Sequence, residues 1–230
     1  MSGPPRLELR RVSKTYQGNG QLVEVLHDVS LVIEAAKVTA LVGRSGCGKT
    51  TLLNLAGAMD FPTRGEVLLD GRATTALNDA QLTMVRRKRI GFVFQSFQLL
   101  PTLTVKENIE LPLMLAGERN SSQAALERLR WVELEEKANA MPYQLSGGQM
   151  QRVAIARALV HSPDVVIADE PTGNLDTASG DQILALLRAC AERFGSAVLM
   201  ATHSAEAAAI ADTRVRLRDG RIASIEHGRS

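Results

Sequence analysis

The chain has 230 residues with a formal net charge of +2, and 45% of them are hydrophobic, 23% charged and only 3% aromatic. This composition supplies enough apolar material for a globular core, and it lacks the basic face or aromatic platform that a nucleic-acid binder needs. Two cysteines do not make a disulfide framework. Residues 1–11 contain no apolar stretch typical of a signal peptide. No run reaches the roughly 18 apolar residues of a membrane span.

The N-terminal part of the chain favours antiparallel strands. Leu7 and Leu9 alternate with polar residues, as do the apolar residues of the stretch 29–33, which is typical of strands with one buried face. Asp70-Gly71 is a hairpin turn signal between strand-like residues. We therefore predict an antiparallel β subdomain at this end.

Three short segments further along are almost purely aliphatic, and each is followed by a helix-like segment. Continuous hydrophobicity is typical of parallel strands that helices cover on both faces. The alternation of strand and helix predicts an α/β core with a parallel sheet. The strand segments are 38–42, 165–168 and 197–200, and the helical segments are 49–57, 177–193 and 204–211.

The first of these strands leads directly into a loop that matches the G-x-x-x-x-G-K-[ST] pattern of phosphate-binding loops. Its glycines allow the backbone to surround an anion, and the helix start that follows adds a favourable dipole. Lys49 can reach the β- and γ-phosphates of a nucleotide, and the Thr50 hydroxyl can bind Mg²⁺. The predicted nucleotide contacts are Gly43, Arg44, Ser45, Gly46, Cys47, Gly48, Lys49, Thr50 and Thr51.

The middle of the chain favours helices. Asn78-x-x-Gln81 and Thr104-x-x-Glu107 have the pattern of capping boxes that open helices. We interpret the basic run 86–89 as the solvated end of a helix. The chain is predicted to be a single domain over residues 1–230, with a helical subdomain at roughly 96–161 inserted in the α/β core.

A second glycine cluster, Leu145-Ser146-Gly147-Gly148-Gln149, directly precedes a helical segment. A serine with exposed glycine backbone at a helix start is another anion site. Of the two glycine-rich loops, only the first carries a lysine. A two-fold dimer explains this difference if the second loop of each chain caps the nucleotide that is bound by the first loop of the other chain. The alternative is a simple serine-capped helix.

Ionisable residues follow two of the aliphatic strands. Asp169 and Glu170 end one strand, and His203 follows the next. Because successive strand residues point to opposite faces, the two acids are expected to do different jobs. Asp169 is expected to hold Mg²⁺ and Glu170 to orient and deprotonate an attacking water. His203 is expected to lie within reach of the terminal phosphate.

The C-terminal segment favours a closing hairpin. Arg214, Arg216 and Arg218 alternate with apolar residues, and Asp219-Gly220 is a second hairpin turn signal. We interpret the arginines as the solvent-facing side of a strand.

These motifs resemble, in order and spacing and over essentially the whole chain, the ATP-binding subunits of ABC transporters. Residues 43–50 resemble the Walker A loop and residues 165–170 resemble Walker B. Residues 145–149 are similar to the signature sequence that separates this family from other phosphate-loop ATPases. The resemblance implies a P-loop NTPase core of the RecA-like type.

The resemblance also implies roles for further residues. Tyr16 would stack on the adenine, and Gln95 would be the Q-loop glutamine that joins the Mg²⁺ site to the membrane partner. Asp176 would belong to the D-loop that crosses the dimer interface, and His203 would be the switch histidine. The implied catalytic residues are thus Glu170, His203, Lys49 and Gln95, and the implied metal ligands are Thr50, Gln95 and Asp169. The implied nucleotide contacts add Tyr16, Ser146, Gly147, Gly148, Gln149 and Asp176 to the phosphate loop.

The segments 91–101, 104–112 and 168–176 resemble one branch of the family, which includes lipoprotein-releasing, macrolide-exporting and peptide-exporting systems and a cell-division relative. This implies an ATPase that uses ATP and Mg²⁺ and closes as a homodimer against a transmembrane permease. The implied activity is export, lipoprotein release or mechanotransmission. The implied location is the cytoplasmic face of the inner membrane, reached only through the permease, with no nucleic-acid partner.

Two other functions remain open at this point. A soluble ABC-type ATPase acting on nucleic acid or ribosomes is favoured only by the basic run 86–89, and the chain lacks the long coiled coil or tandem cassette of such proteins. A non-hydrolysing regulatory module is the third hypothesis. The presence of Lys49, Glu170 and His203 argues against it.

Overall fold

The computed structural model describes residues 5–18 and 20–228. Residues 1–4, part of the segment 1–11 for which no signal peptide is predicted, lie outside the described residues. The strands are β1 (Leu7–Gly18), β2 (Gln21–Ile33), β3 (Val38–Val42), β4 (Arg64–Leu69), β5 (Arg72–Ala73), β6 (Ile90–Phe94), β7 (Val165–Asp169), β8 (Ala197–Thr202), β9 (Thr213–Arg218) and β10 (Arg221–His227). The helices are α1 (Lys49–Ala56), α2 (Asp79–Arg89), α3 (Val105–Leu115), α4 (Ser121–Trp131), α5 (Gly147–Leu159), α6 (Thr177–Phe194) and α7 (Ala205–Ala209).

The strands form two sheets. One sheet has the order β2-β1-β4-β5, and all its described pairs are antiparallel. The other has the order β10-β9-β3-β8-β7-β6, with β10 antiparallel to β9 and every other pair parallel. Both predicted hairpins are present, and the three arginines of β9 face solvent. The predicted α/β class, with a parallel core sheet and an N-terminal antiparallel part, is confirmed.

The parallel register aligns the carboxyl ends of four strands. Phe94 at the end of β6 lies opposite Asp169 of β7, and Asp169 lies opposite Ala201 of β8. Val42 at the end of β3 lies opposite Thr202. The residues that follow these strand ends therefore leave the sheet at one edge, where open α/β sheets bind ligands.

Helix α1 lies between the two sheets. Its residues Leu52, Leu53 and Leu55 are buried in an apolar cluster with β1, β2 and β4 on one side and the parallel strands on the other. A second cluster covers the opposite face of the parallel sheet with α5, α6 and α7. Covering both faces explains why the strands of this sheet are continuously aliphatic.

Residues 96–161 contain α3, α4 and α5, which share an apolar cluster of their own. The capping boxes at Asn78 and Thr104 are confirmed, since each side chain accepts from the backbone N–H three residues on, and the side chain of that third residue accepts from the backbone N–H of the cap residue. The division into one domain with an inserted helical part remains a prediction. Within the described part of the chain, no helix is both long enough and apolar enough to cross a membrane.

The basic run at the end of α2 is only partly solvated. Arg87 and Lys88 are exposed, but Arg86 donates to a main-chain carbonyl after α1 at 2.9 Å. Arg89 donates to the carboxylate of Asp164 at 2.5 Å and pairs with a second aspartate. The interpretation of the whole run as a solvated helix end is therefore wrong for Arg86 and Arg89, because sequence gives no sign of these distant partners.

Asp212 ties the start of β3 to α6. Its carboxylate accepts from the Val38 N–H at 2.8 Å and from Arg188 Nη1 at 2.7 Å. Burial by itself raises the pKa of Asp212, but the hydrogen bonds from Arg188 and Val38 outweigh it and hold the pKa below its usual range. The charged carboxylate therefore stabilises the folded chain.

Replacing Asp212 by asparagine is expected to lower the free energy of unfolding by about 1–2 kcal/mol at neutral pH. Because the folded pKa is lowered, this contribution is present above the ordinary aspartate pKa of about 3.9 and is lost as the pH falls through the folded value. Urea unfolding from neutral pH downward should show the difference between wild type and variant shrinking below about pH 4. Asp181→Asn, at an exposed position of α6, is the control. A difference independent of pH would contradict the assignment.

Candidate functional site

A cavity of about 740 Å³ opens at the edge where the parallel strands end. Its volume lies in the range of small-molecule sites. The loop before α1 and the residues after β6, β7 and β8 converge there, so most of the residues singled out from sequence come together. The lining consists of Val25, Ser45, Gly46, Gly48, Lys49, Thr50, Thr51, Gln95, Asp169, Glu170 and His203.

The loop before α1 closes around the Lys49 side chain. The ammonium donates to the carbonyl of Gly43 at 2.8 Å and lies 3.3 Å from that of Arg44. Gly48 caps α1 with a φ of 105°, and a Cβ there would lie 2.8 Å from a methyl carbon of Leu26. Only glycine meets both constraints, and the result is a curved backbone with a buried cation at a helix start, which suits a phosphate group.

Thr50 and Asp169 place two oxygen atoms side by side. The Thr50 hydroxyl donates to Asp169 Oδ2 at 3.0 Å. Burial raises the pKa of the Asp169 carboxyl, and the Thr50 hydrogen bond opposes that shift. A hydroxyl and a carboxylate are the hard oxygen donors that Mg²⁺ prefers. The donor set therefore fits a magnesium ion.

Glu170 leaves the strand geometry immediately after β7. It has a φ of 47°, a left-handed conformation that costs a non-glycine residue on the order of 1–3 kcal/mol. The bend is held by its N–H, which donates to the Ala201 carbonyl at 2.9 Å. As a result Asp169 and Glu170 line the same cavity. Because the strand ends at Asp169, strand alternation does not apply to Glu170, and both carboxylates are accessible from one cavity.

His203 contacts Glu170 directly. The His203 Nδ1 atom lies 3.0 Å from Glu170 Oε2, and the His203 N–H lies 3.3 Å from the same oxygen. The His203 side chain is 71% exposed and the Glu170 side chain 17%. The histidine thus orients a largely buried carboxylate while its own ring remains accessible from the cavity.

Gln95 lines the cavity, but its amide bonds within the chain. Nε2 donates to the Asn174 side-chain oxygen at 3.1 Å, and Asn174 Nδ2 donates to the Gln95 carbonyl at 3.0 Å. A Cβ on Gly173 would fall 2.7 Å from Gln95 Nε2. The loop after Glu170 therefore touches the residue after β6, a contact that only the tertiary structure reveals.

Three predicted members of the phosphate loop do not line the cavity. A Cβ on Gly43 would lie 2.4 Å from the Leu217 carbonyl oxygen, so this position requires close backbone approach. Cys47 is 8% exposed and belongs to the core between the sheets. Arg44 supplies a carbonyl to the Lys49 ammonium. These residues therefore support the loop on the side away from the cavity.

Tyr16 lies on β1 at the margin of the cavity. Its hydroxyl donates to Asp60 at 2.8 Å, and the ammonium of Lys14 lies 4.8 Å from the ring centroid. Burial and the Asp60 hydrogen bond raise the pKa of Tyr16, and contact with Thr51 opposes the shift. Because Thr51 lines the cavity, Tyr16, which is 37% exposed, lies next to the cavity.

The second glycine cluster lies at the junction of α5 and α6. Ser146 and Gln149 form a reciprocal capping box at the start of α5, and Asp176 caps α6 by accepting from the Ser179 N–H at 2.9 Å. A Cβ on Gly148 would lie 2.8 Å from Ser179 Oγ. These residues and Gly147 do not line the cavity that holds Lys49.

The sequence analysis missed three residues around the cavity. Val25 lines it, but strand alternation does not indicate this, because the β1–β2 register shifts at Val25, between the pairs Lys14–Leu26 and Thr15–Glu24. Arg157 of α5 donates to the Phe97 carbonyl at 2.8 Å and to the next carbonyl along the chain. The third is the buried Gln151, and no sequence pattern indicates its partners.

Known proteins resemble this chain over most of its length. The sequence profile of the ABC transporter family matches residues 26–173. The macrolide export ATP-binding/permease protein MacB of Brucella melitensis is 44% identical over 228 residues, which is 97% of this chain and 35% of MacB. The ABC transporter ATP-binding protein MJ0796 of Methanocaldococcus jannaschii is 44% identical over 223 residues, 94% of each chain. The chain thus spans about a third of the MacB length and nearly all of MJ0796.

Solved structures show the same architecture. The dimeric MJ0796 cassette bound to ADP and Pi in a post-hydrolysis state has a TM-score of 0.89 at 42% identity, covering 97% of this chain and 99% of that one. CbiO1 from Clostridium perfringens, part of an ABC transporter complex, has a TM-score of 0.88 at 25% identity, covering 98% and 89%. The predicted P-loop NTPase fold and the resemblance to the macrolide-exporter branch are confirmed. The chain belongs to the ABC transporter family and is an ATP-binding cassette that hydrolyses ATP.

Proposed function

We propose that this cassette is the motor of an ABC exporter: it binds MgATP, closes as a homodimer and transmits closure to a transmembrane permease. The work done would be export, lipoprotein release or mechanotransmission at the cytoplasmic face of the inner membrane, which the cassette reaches only through the permease. The whole chain acts as a single domain, with residues 96–161 as its helical part. The shared apolar cluster of α3, α4 and α5 supports that division.

One observation supports the proposal of a homodimer. Lys49 and Glu170 line one cavity, whereas Ser146 and Gly148 lie at the start of α5 and do not line it. A helix start with exposed glycine backbone is an anion site. In a two-fold dimer this site meets a nucleotide held by the other copy, with Gly147, Gln149 and Asp176 at the same interface. The solved dimer of MJ0796, bound to ADP and Pi, supports this arrangement.

The residues that line the cavity have different roles in ATP hydrolysis. Lys49 binds the β- and γ-phosphates, and the cavity-lining residues 45, 46 and 48–51 surround them. Thr50, Asp169 and Gln95 would hold Mg²⁺, which when bound neutralises phosphate charge.

Glu170 orients the attacking water and takes its proton as the water oxygen bonds to the γ-phosphorus. The bond between that phosphorus and the β,γ-bridging oxygen breaks, leaving ADP and phosphate. His203, bonded to Glu170, keeps the carboxylate in place and offsets charge on the γ-phosphate.

Tyr16→Ala is expected to weaken ATP binding by about tenfold, because stacking of a base on an aromatic ring contributes about 1–3 kcal/mol. Tyr16→Phe should keep most of the affinity, since it retains the ring and loses only the hydroxyl contacts with Asp60 and Thr51. Equilibrium titration with a fluorescent ATP analogue measures both. Tyr143→Ala is the matched control, because that ring is 79% exposed and lies outside the cavity. Equal affinity for wild type and Tyr16→Ala would contradict adenine stacking.

The permease is the partner that most needs identification. MacB is named as an ATP-binding/permease protein and this chain matches 35% of it, which supports a permease partner of that kind. Purification of the tagged chain from membranes should recover a four-helix permease with a large extracytoplasmic domain. Recovery of a six-helix importer subunit would contradict the proposal.

A nucleic-acid partner has no support in these observations. Both MacB and MJ0796 are named as transporter proteins, and two of the four residues in the basic run bond within the chain. A steep salt-dependent affinity for DNA or RNA would reverse this conclusion.

A further inference from the structure

A buried glutamine in α5 bonds to the ends of two loops of the catalytic cavity. Gln151 has no exposed surface. Its Nε2 atom donates to the Pro171 carbonyl at 2.6 Å and to the Phe94 carbonyl at 3.3 Å. Phe94 directly precedes Gln95, and Pro171 directly follows Glu170. One side chain thus joins α5, the signature helix that begins within residues 145–149, to the chain at the ends of β6 and β7.

The chemistry of this position requires the amide. Two carbonyl oxygens face one atom, so that atom must carry two hydrogens, which an amide nitrogen does and a carboxylate does not. The other amide atom, Gln151 Oε1, is buried and has no hydrogen-bond partner among the described residues. Burying an unsatisfied oxygen lowers stability. The glutamine is therefore better explained by its two donated bonds than by packing.

These bonds act on a strained part of the site. Glu170 holds a left-handed φ of 47° directly before Pro171. On its other side the same loop is tied to Gln95 through Asn174. With Gln151 bonded between them, a displacement of α5 would move both the Glu170 loop and the residue before Gln95.

We propose that Gln151 is a positioning residue, which holds Glu170 and Gln95 at a fixed separation and couples that separation to the signature helix. The inference rests on the proposed role of Glu170 as the base. Gln151 touches neither substrate nor water in this role, and it acts through the backbone at Phe94 and Pro171.

The test replaces Gln151 by methionine, which has similar length and no donor, and by glutamate, which presents oxygens to two carbonyls. Both variants should lose about tenfold or more in kcat, because small misplacements of a catalytic group have large effects on rate. The KM for ATP should stay within about twofold, the pattern of an interaction needed only in the transition state. Gln123→Met, at an exposed position of α4, is the matched control and should behave as wild type.

Turnover is expressed per nucleotide-binding site, titrated with a fluorescent ATP analogue, so that partial misfolding does not imitate a lower kcat. A raised KM with unchanged kcat, or normal kcat in both variants, would overturn the positioning role. Rescue of the rate by glutamate would overturn it as well, since glutamate restores the shape without the donors.

A double variant separates this inference from the proposed function. In a Glu170→Gln background, Gln151→Met should lower the residual rate by less than it lowers the wild-type rate, because of the two groups it positions the base is absent and only Gln95 remains. A full repeat of the single-variant loss would show that Gln151 acts independently of Glu170. Failure of the base assignment is seen separately, as normal turnover by Glu170→Gln alone.

Discussion

Glu170→Gln is expected to lower the rate of ATP hydrolysis by about 10²–10⁴-fold, the usual contribution of a general base. The amide keeps the size of the carboxylate and a bond to His203, but it cannot take a proton from water. Nucleotide affinity should stay near the wild-type value because Lys49 and the loop before α1 are unchanged. Phosphate release and equilibrium binding measure the two quantities, and light scattering with MgATP should show an accumulated dimer.

Glu226→Gln on the exposed edge strand β10 removes a carboxylate outside the cavity and serves as the control for this loss. It should hydrolyse ATP at the wild-type rate. Normal turnover by Glu170→Gln would remove Glu170 from the role of base. A slow variant that also failed to bind ATP would indicate a structural effect instead.

Lys49→Ala is expected to weaken ATP binding by about 10²-fold or more. Charge-assisted hydrogen bonds contribute about 1.5–3 kcal/mol each, and Lys49 can make one to each of two phosphates. Lys49 is 9% exposed and its ammonium donates to the carbonyls of Gly43 and Arg44, so its loss also removes the group around which the loop closes. Titration calorimetry with ATP and with ADP measures the change.

Comparison of the two nucleotides tests where Lys49 acts. The variant should lose more affinity for ATP than for ADP, because a contact to the γ-phosphate exists only in ATP. Lys88→Ala, which removes an exposed lysine from α2, should bind both as wild type does. Unchanged ATP affinity in Lys49→Ala would contradict the phosphate-binding role.

Much of the architecture could be predicted from local patterns. The aliphatic runs at 38–42, 165–168 and 197–200 all became strands of the parallel sheet, because a strand covered on both faces has no polar side to expose. The capping boxes at Asn78 and Thr104 also formed as predicted, since a cap depends on residues only three apart. Patterns of this kind are decided within one element and are therefore visible in sequence.

The sequence by itself determined the main strands and helices and where the glycine-rich loops lie. It also determined that Lys49 opens a helix and that Asp169, Glu170 and His203 lie at the ends of strands. Only the tertiary structure decided that Glu170 bends into the cavity of Asp169, and that Gln151 joins Phe94 to Pro171 across 57 and 20 residues of sequence. It also decided that Arg89 is neutralised by Asp164. Local geometry follows from side-chain spacing, whereas these contacts depend on strand register and helix packing, which are set only when the whole core assembles.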